Sequence, residues 1–167
     1  MGSGYYYLTA SLPQLKFKEE APFRGEQFLE ECEKWLSPGD MKEIMFSAVV
    51  CSDGAFNSPV LEKWREFDRV FRQELAEYRE ERKKGMDRKP AFLAGKILEQ
   101  VNPLEMEISF EKARWDFLES LSVGHFFDVE KLVIYYLQLG ILTRLGKFNK
   151  DKGEAYFHEI CEVKYGD

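Results

Sequence analysis

Residues 130–145, EKLVIYYLQLGILTRL, carry apolar side chains on nearly every side of the helix they would form. A helix with no polar face has to be enclosed. A bilayer does not suit it. The stretch Leu132 to Leu145 is interrupted by Gln138, Thr143 and Arg144, whereas a membrane span takes about 20 mainly apolar residues. The helix is therefore expected deep inside a protein core.

The rest of the chain supplies more helices. GEQFLEECEKWL spaces Phe28, Leu29, Cys32, Trp35 and Leu36 by three and four, forming one apolar stripe. Ser37-Pro38, Ser58-Pro59 and Asn102-Pro103 each pair a capping side chain with a proline suited to the first helical turn. They open helices over 38–50, from Pro59 to a stop at Gly85, and over 103–121. The second of these presents Leu61, Trp64, Phe67, Phe71, Leu75 and Tyr78 on one face, while its end, Arg79 to Lys84, projects into solvent. The third carries two apolar stripes. Leu104, Ile108, Trp115 and Leu118 form one, and Met106, Phe110, Ala113, Phe117 and Leu121 the other. A helix apolar on two sides is sandwiched, which places it at the centre of the C-terminal half. CSDGAFN reads as a loop, 90–101 as a short helix, and Asp128 as the cap of the apolar helix. A last helix starts at Asn149 or Asp151 and faces inward through Ala155, Tyr156, Ile160 and Val163.

No alternation is long enough for a central sheet; Tyr5 to Leu12 is the single extended candidate, with Tyr6 facing opposite to Tyr5 and Tyr7. The expected fold is all-α: a bundle of six or seven helices with a short extended N-terminal segment. Residues 1–167 suit a single helical domain, and DRKP, near 85–90, is the one candidate boundary between two small lobes.

Charge limits the partners. Thirty acidic against 24 basic residues give a net of −6, which argues against a general nucleic-acid binder and against adhesion to anionic lipid. Cys32, Cys51 and Cys161 are widely spaced, with no CxxC and no leader-like apolar run before the tyrosines, as for reduced thiols in the cytoplasm. The aromatic share, 15%, implies a core built from rings or a large partner surface.

No catalytic constellation is legible. His125 and His158 are the only histidines, and neither GxSxG, GxxxxGK nor GxGxxG occurs. His125, in a turn between aromatics, reads as a capping or packing residue. His158 and Cys161, with Glu154 and Glu162 one turn to either side of His158, form one edge of a metal site whose remaining ligands the sequence does not supply. A small hydrolase or metal enzyme around these residues ranks last among the readings. Glu62 with Arg65, Glu66 with Arg69, and Glu111 with Arg114 read as ordinary i,i+3 surface pairs. The basic run from Arg79 to Lys89 is either the solvated end of a helix or a docking spur for an acidic partner.

Three stretches together carry a resemblance: YYYLTASLPQLKF at the start, NPLEMEISFEKARWDFLESL in the middle, and HFFDVEKLVIYYLQLGILTRLGKFNKDKGEAYFHEI at the end. In their order they resemble a bacterial family encoded among the subunits of V-type ATP synthases. In that family a Tyr-Tyr-x-Leu-x-Ala-Ser-Leu-Pro run is followed by an Asn-Pro-Leu helix and a Phe-Asp helix start. Tyr6, Tyr7, Leu8, Ala10, Ser11, Leu12 and Pro13, then Asn102 to Leu104, then Phe127 and Asp128 correspond. Leu8 follows Tyr7 directly, a departure from the run. The resemblance implies a shortened stand-in for the funnel-like stalk protein of these enzymes, the helical component that seats the central rotor shaft on the membrane ring. The usual stalk protein is much longer, so no individual contact residue carries over.

The sequence thus leads to a non-catalytic coupling subunit without cofactor or metal. Its partners would be the rotor shaft and membrane ring of a V-type ATPase, and it would lie in the cytoplasm, held at the inner membrane through the complex without inserting. Tyr6, Arg79, Arg82, Lys83 and Lys84 are the candidate partner contacts, with most of the Tyr5–Tyr7 ring area buried. The alternative is an unrelated cytosolic helical adaptor that grips a partner helix.

Overall fold

A computed structural model describes residues 3–47, 58–86, 102–148 and 150–161. Among them are seven helices and no strand: α1 (Ser3–Ser11), α2 (Gly25–Glu33), α3 (Pro38–Ser47), α4 (Pro59–Lys83), α5 (Pro103–Leu121), α6 (Val129–Leu145) and α7 (Lys150–Cys161). The fold is an all-α bundle. The expected loop at CSDGAFN, the helix over 90–101 and the DRKP boundary lie outside the described residues.

The capping signals work as chemistry requires. Ser58 Oγ accepts the Leu61 N–H at 3.3 Å, Asn102 Oδ1 the Leu104 N–H at 3.0 Å, and Asp128 Oδ1 the Lys131 N–H at 2.9 Å. At the far end of α4, Gly85 takes φ +74°. The Gly85 and Met86 amides donate back to the Arg82 and Glu81 carbonyls, closing the helix with a left-handed turn.

The centre is α6, not α5. Leu132, Val133, Ile134, Tyr135, Leu139, Ile141 and Leu142 of α6 are all buried, and α1 to α5 pack around it. Helix α5 lies between α4 and α6, burying Phe110, Trp115 and Leu118. Its first turn runs out of the core, leaving Leu104 exposed. Rings fill the joints: Phe67 stacks on Phe117 at 3.9 Å, and Phe28 on Tyr135 and Tyr136 at 5.3 and 5.6 Å.

Two further expectations are corrected. Residues 3–11 are helical, not extended. Tyr5, Leu8 and Leu12 recur at three and four residues, which is the spacing of one helix face, and Leu8 is fully buried on it. Helix α7 does not face inward: Ala155 and Ile160 are exposed. The exposed positions α6 still offers, Gly140, Thr143 and Arg144, give it no apolar surface to cover. The side chains of Tyr156 and Val163 lie outside the described residues. No helix among the described residues is long and apolar enough to cross a membrane.

Candidate functional site

Helix α1 is fastened by three features. Leu8 enters the core. The Tyr5 hydroxyl donates to Asp40 Oδ2 at 2.5 Å, and burial together with this bond raises the phenol's pKa. Gly4 lets the helix approach the α2–α3 turn, where a Cβ would stand 3.1 Å from the Trp35 carbonyl oxygen. Asp40 serves both partners, since its Oδ2 also accepts from Ser37 Oγ, the cap of α3.

With Tyr5 and Leu8 turned inward, Tyr6 and Tyr7 point out. Both are 59% exposed. Tyr7 lies 4.9 Å from the ring of Trp35, and Tyr6 4.8 Å from that of Phe127. Two ring pairs thus result, Trp35 with Tyr7 and Tyr6 with Phe127; the adjacent positions of Tyr6 and Tyr7 on α1 link them into a row across three elements, and Phe126 and Val123 are exposed as well. Trp35 belongs to the row because α2 ends at Glu33, before its stripe reaches the tryptophan. The sequence placed Trp35 in the α2 stripe and most of the tyrosine area inside; the early helix stop and the helical α1 reverse both.

Acidic groups border the row. Trp35 Nε1 donates to Glu31 Oε1 at 3.4 Å. Asp40 lies beneath Tyr5. His125 Nδ1 is 2.7 Å from Asp128 Oδ2, so His125 serves the α6 cap, and Glu130 joins these two within 4.8 Å. This is the one His/Cys/Asp/Glu group among the described residues close enough to hold a cation. His158 and Cys161 are both exposed on α7. Cys32 is fully buried and its thiol is pushed up to about 12, an inert core residue.

The basic candidates meet different neighbours. Arg79, Arg82 and Lys83, all exposed or partly so, line an open cavity of about 430 Å³ with Leu75, Tyr78 and Met106. Lys84 pairs with Glu80 at 2.6 Å, and this bond holds the Glu80 carboxyl below its usual range. Neither Tyr6 nor Lys84 is among the described lining of that cavity, so of the five predicted contacts Arg79, Arg82 and Lys83 share one surface and Tyr6 lies with the rings.

An ionic network, buried at Glu111 and open to solvent at Arg144, joins α4, α5 and α6. Arg114 bonds Asp68 at 3.0 Å and Glu111 at 3.2 Å; Arg144 bonds Glu107 at 3.0 Å and Glu111 at 3.3 Å. Glu111 is 2% exposed, not the surface pair its spacing implied. Glu66 and Arg69 do form the expected surface pair at 2.7 Å. The network opens on a cleft of about 530 Å³ that Arg24, Arg72 and Lys147 also line. Arg72 pairs with Asp68 at 2.6 Å, so opposite charges meet along the cleft wall, and the cleft reads as the joint where α4, α5 and α6 meet the start of α2 and the end of α3.

One family matches. The model of a protein family of unknown function, DUF2764, covers residues 94–164, which takes in α5, α6, α7 and the Phe126–Phe127 end of the ring row. No curated protein and no solved structure matches the chain.

Proposed function

We propose that the protein is a non-catalytic coupling subunit of a bacterial V-type ATPase or ATP synthase, a shortened stand-in for the stalk protein between the rotor shaft and the membrane ring. The row Trp35–Tyr7–Tyr6–Phe127 carries this reading. Tyr6 and Phe127 come from two of the stretches that bear the family resemblance, YYYLTASLP and HFFD, which lie more than a hundred residues apart and meet at 4.8 Å. The core does not need these rings, because Leu8 and Tyr5 already hold α1. Half-exposed aromatics on a rigid helical body are the residues that dominate protein docking energies. The role is mechanical: a bundle centred on α6 transmits force between what it grips on different faces.

The test is recovery of tagged protein from native membranes. ATPase rotor and catalytic subunits are expected to co-purify with the wild-type chain and to be lost from a Tyr6→Ala/Phe127→Ala variant that melts at the wild-type temperature. Absence of those subunits from wild-type preparations under gentle extraction removes the assignment. The cavity formed by Leu75, Tyr78 and Met106 under Arg79, Arg82 and Lys83 favours a second reading, a helical adaptor that receives an acidic amphipathic helix. A partner lost on Arg82→Glu/Lys83→Glu and retained by the ring variant identifies it.

A further inference from the structure

The ring row is too small to be a whole interface. At about 150–250 Å² per aromatic side chain, four rings exposed by 43 to 59% offer about 400 Å², half of the about 800 Å² each partner contributes to a standard contact. The rim supplies the remainder, and its charge selects what can dock. From Ser3 to Leu15 the chain has no charged residue. Residues 26–43, which form most of α2, the turn bearing Trp35 and part of α3, hold six acidic against two basic residues; Lys34 pairs with Glu31 at 2.5 Å, which leaves the other acids of this flank in excess. On the other flank, Asp128 and Glu130 follow Phe127 closely. Glu43 and Glu130 also lie close enough to Tyr5 to oppose ionisation of its phenol. The rings are thus an electron-rich strip inside an acidic frame.

We infer that this face seats a cationic segment of a partner protein, an amphipathic stretch whose arginine or lysine groups lie over the ring faces and against the acidic flanks, with Glu130, close after Phe127 in the chain, one such carboxylate. Ring faces attract guanidinium and ammonium groups, and the frame adds the same sign of attraction at longer range. An acidic segment would meet like charge along both flanks. A second copy of this chain would bring an identical acidic frame against this one. The inference names the chemistry of the partner in the proposed complex and rests on the row being the docking face.

Trp35 provides the readout. Of the three tryptophans, Trp64 and Trp115 are buried and Trp35 is exposed, so a change in emission reports occupation of the row. The full chain is titrated with a synthetic leucine–arginine amphipathic peptide and with its counterpart bearing glutamate in place of arginine. The arginine peptide is expected to bind at least about tenfold more tightly, to weaken with added salt, and to lose about tenfold on Tyr6→Ala/Phe127→Ala. Glu130→Gln keeps every ring and the Lys34–Glu31 pair and is expected to narrow the preference between the peptides. Equal binding of both peptides, binding of neither, or binding indifferent to the ring variant overturns the inference. So does a dimer in sedimentation that the ring variant converts to monomer, which makes a second copy the occupant. Recovery of ATPase subunits without arginine selectivity sinks this inference alone; arginine selectivity without those subunits sinks only the assignment to the complex.

Discussion

Glu111 shows how far a residue's sequence neighbourhood can mislead. Its spacing from Arg114 is that of a solvent-exposed helix pair, yet it is enclosed where α4, α5 and α6 meet. Nothing local marks it, because its enclosure depends on Asp68 and Arg144 arriving from other helices. Burial raises the Glu111 carboxyl more than Arg114 and Arg144 lower it. A carboxyl raised in the folded state favours folding while it keeps its proton. That contribution is complete below the ordinary value of 4.5 and is lost as pH climbs through the raised value. Each pKa unit of that rise corresponds to about 1.4 kcal/mol. Glu111→Gln keeps the shape without the charge. Its melting temperature, followed against pH, is therefore expected to gain on the wild type from about pH 4 to about pH 7. A difference that stays flat, or shrinks, would mean that the two arginines outweigh burial. Cys32, by contrast, was legible: its place in the Phe28–Leu36 stripe announced a core thiol, and it is one.

Among elements, legibility followed the strength of the terminal signals. The Ser-Pro and Asn-Pro starts of α3, α4 and α5, the Asp128 start of α6 and the glycine stop of α4 all lie where their side-chain chemistry puts them. Helix α1 has no such signal. A cluster of tyrosines favours strands, and only the 5–8–12 spacing betrayed the helix. What makes α1 helical is tertiary: Leu8 in the core and Tyr5 on Asp40. The two anchors separate by mutation. Leu8→Ala leaves a cavity and is expected to cost about 2–5 kcal/mol of global stability in denaturant titration. Asp40→Ala removes a cap group and the Tyr5 acceptor together, and is expected to cost about 1–3 kcal/mol while exposing α1 to limited proteolysis. Rapid cleavage within α1 in the wild-type protein would contradict a docked helix. Helix α7 failed for the opposite reason: its inward face was read from periodicity, and periodicity does not show whether the core has room left.

At the scale of the molecule, the all-apolar stretch foretold both the helical class and its own burial. What could not be read was which helix the others surround, since α5 and α6 both lack a clean polar face. The proposed docking surface was half visible. Tyr6 was named as a contact, but its companions Trp35 and Phe127 come from segments that only folding brings together. The basic end of α4, conspicuous in sequence, forms its own cavity apart from the rings. The central claim is that the ring row is the face by which this protein holds its partner. It is tested most directly by placing photoreactive benzoylphenylalanine at position 127 in the full chain, in cells, with position 157 of exposed α7 as the control. Irradiation is expected to join position 127 to a component of the V-type ATPase through a lysine- or arginine-bearing segment, at a yield well above that of the control. No adduct at 127, or an adduct only with a second copy of the chain, would contradict it.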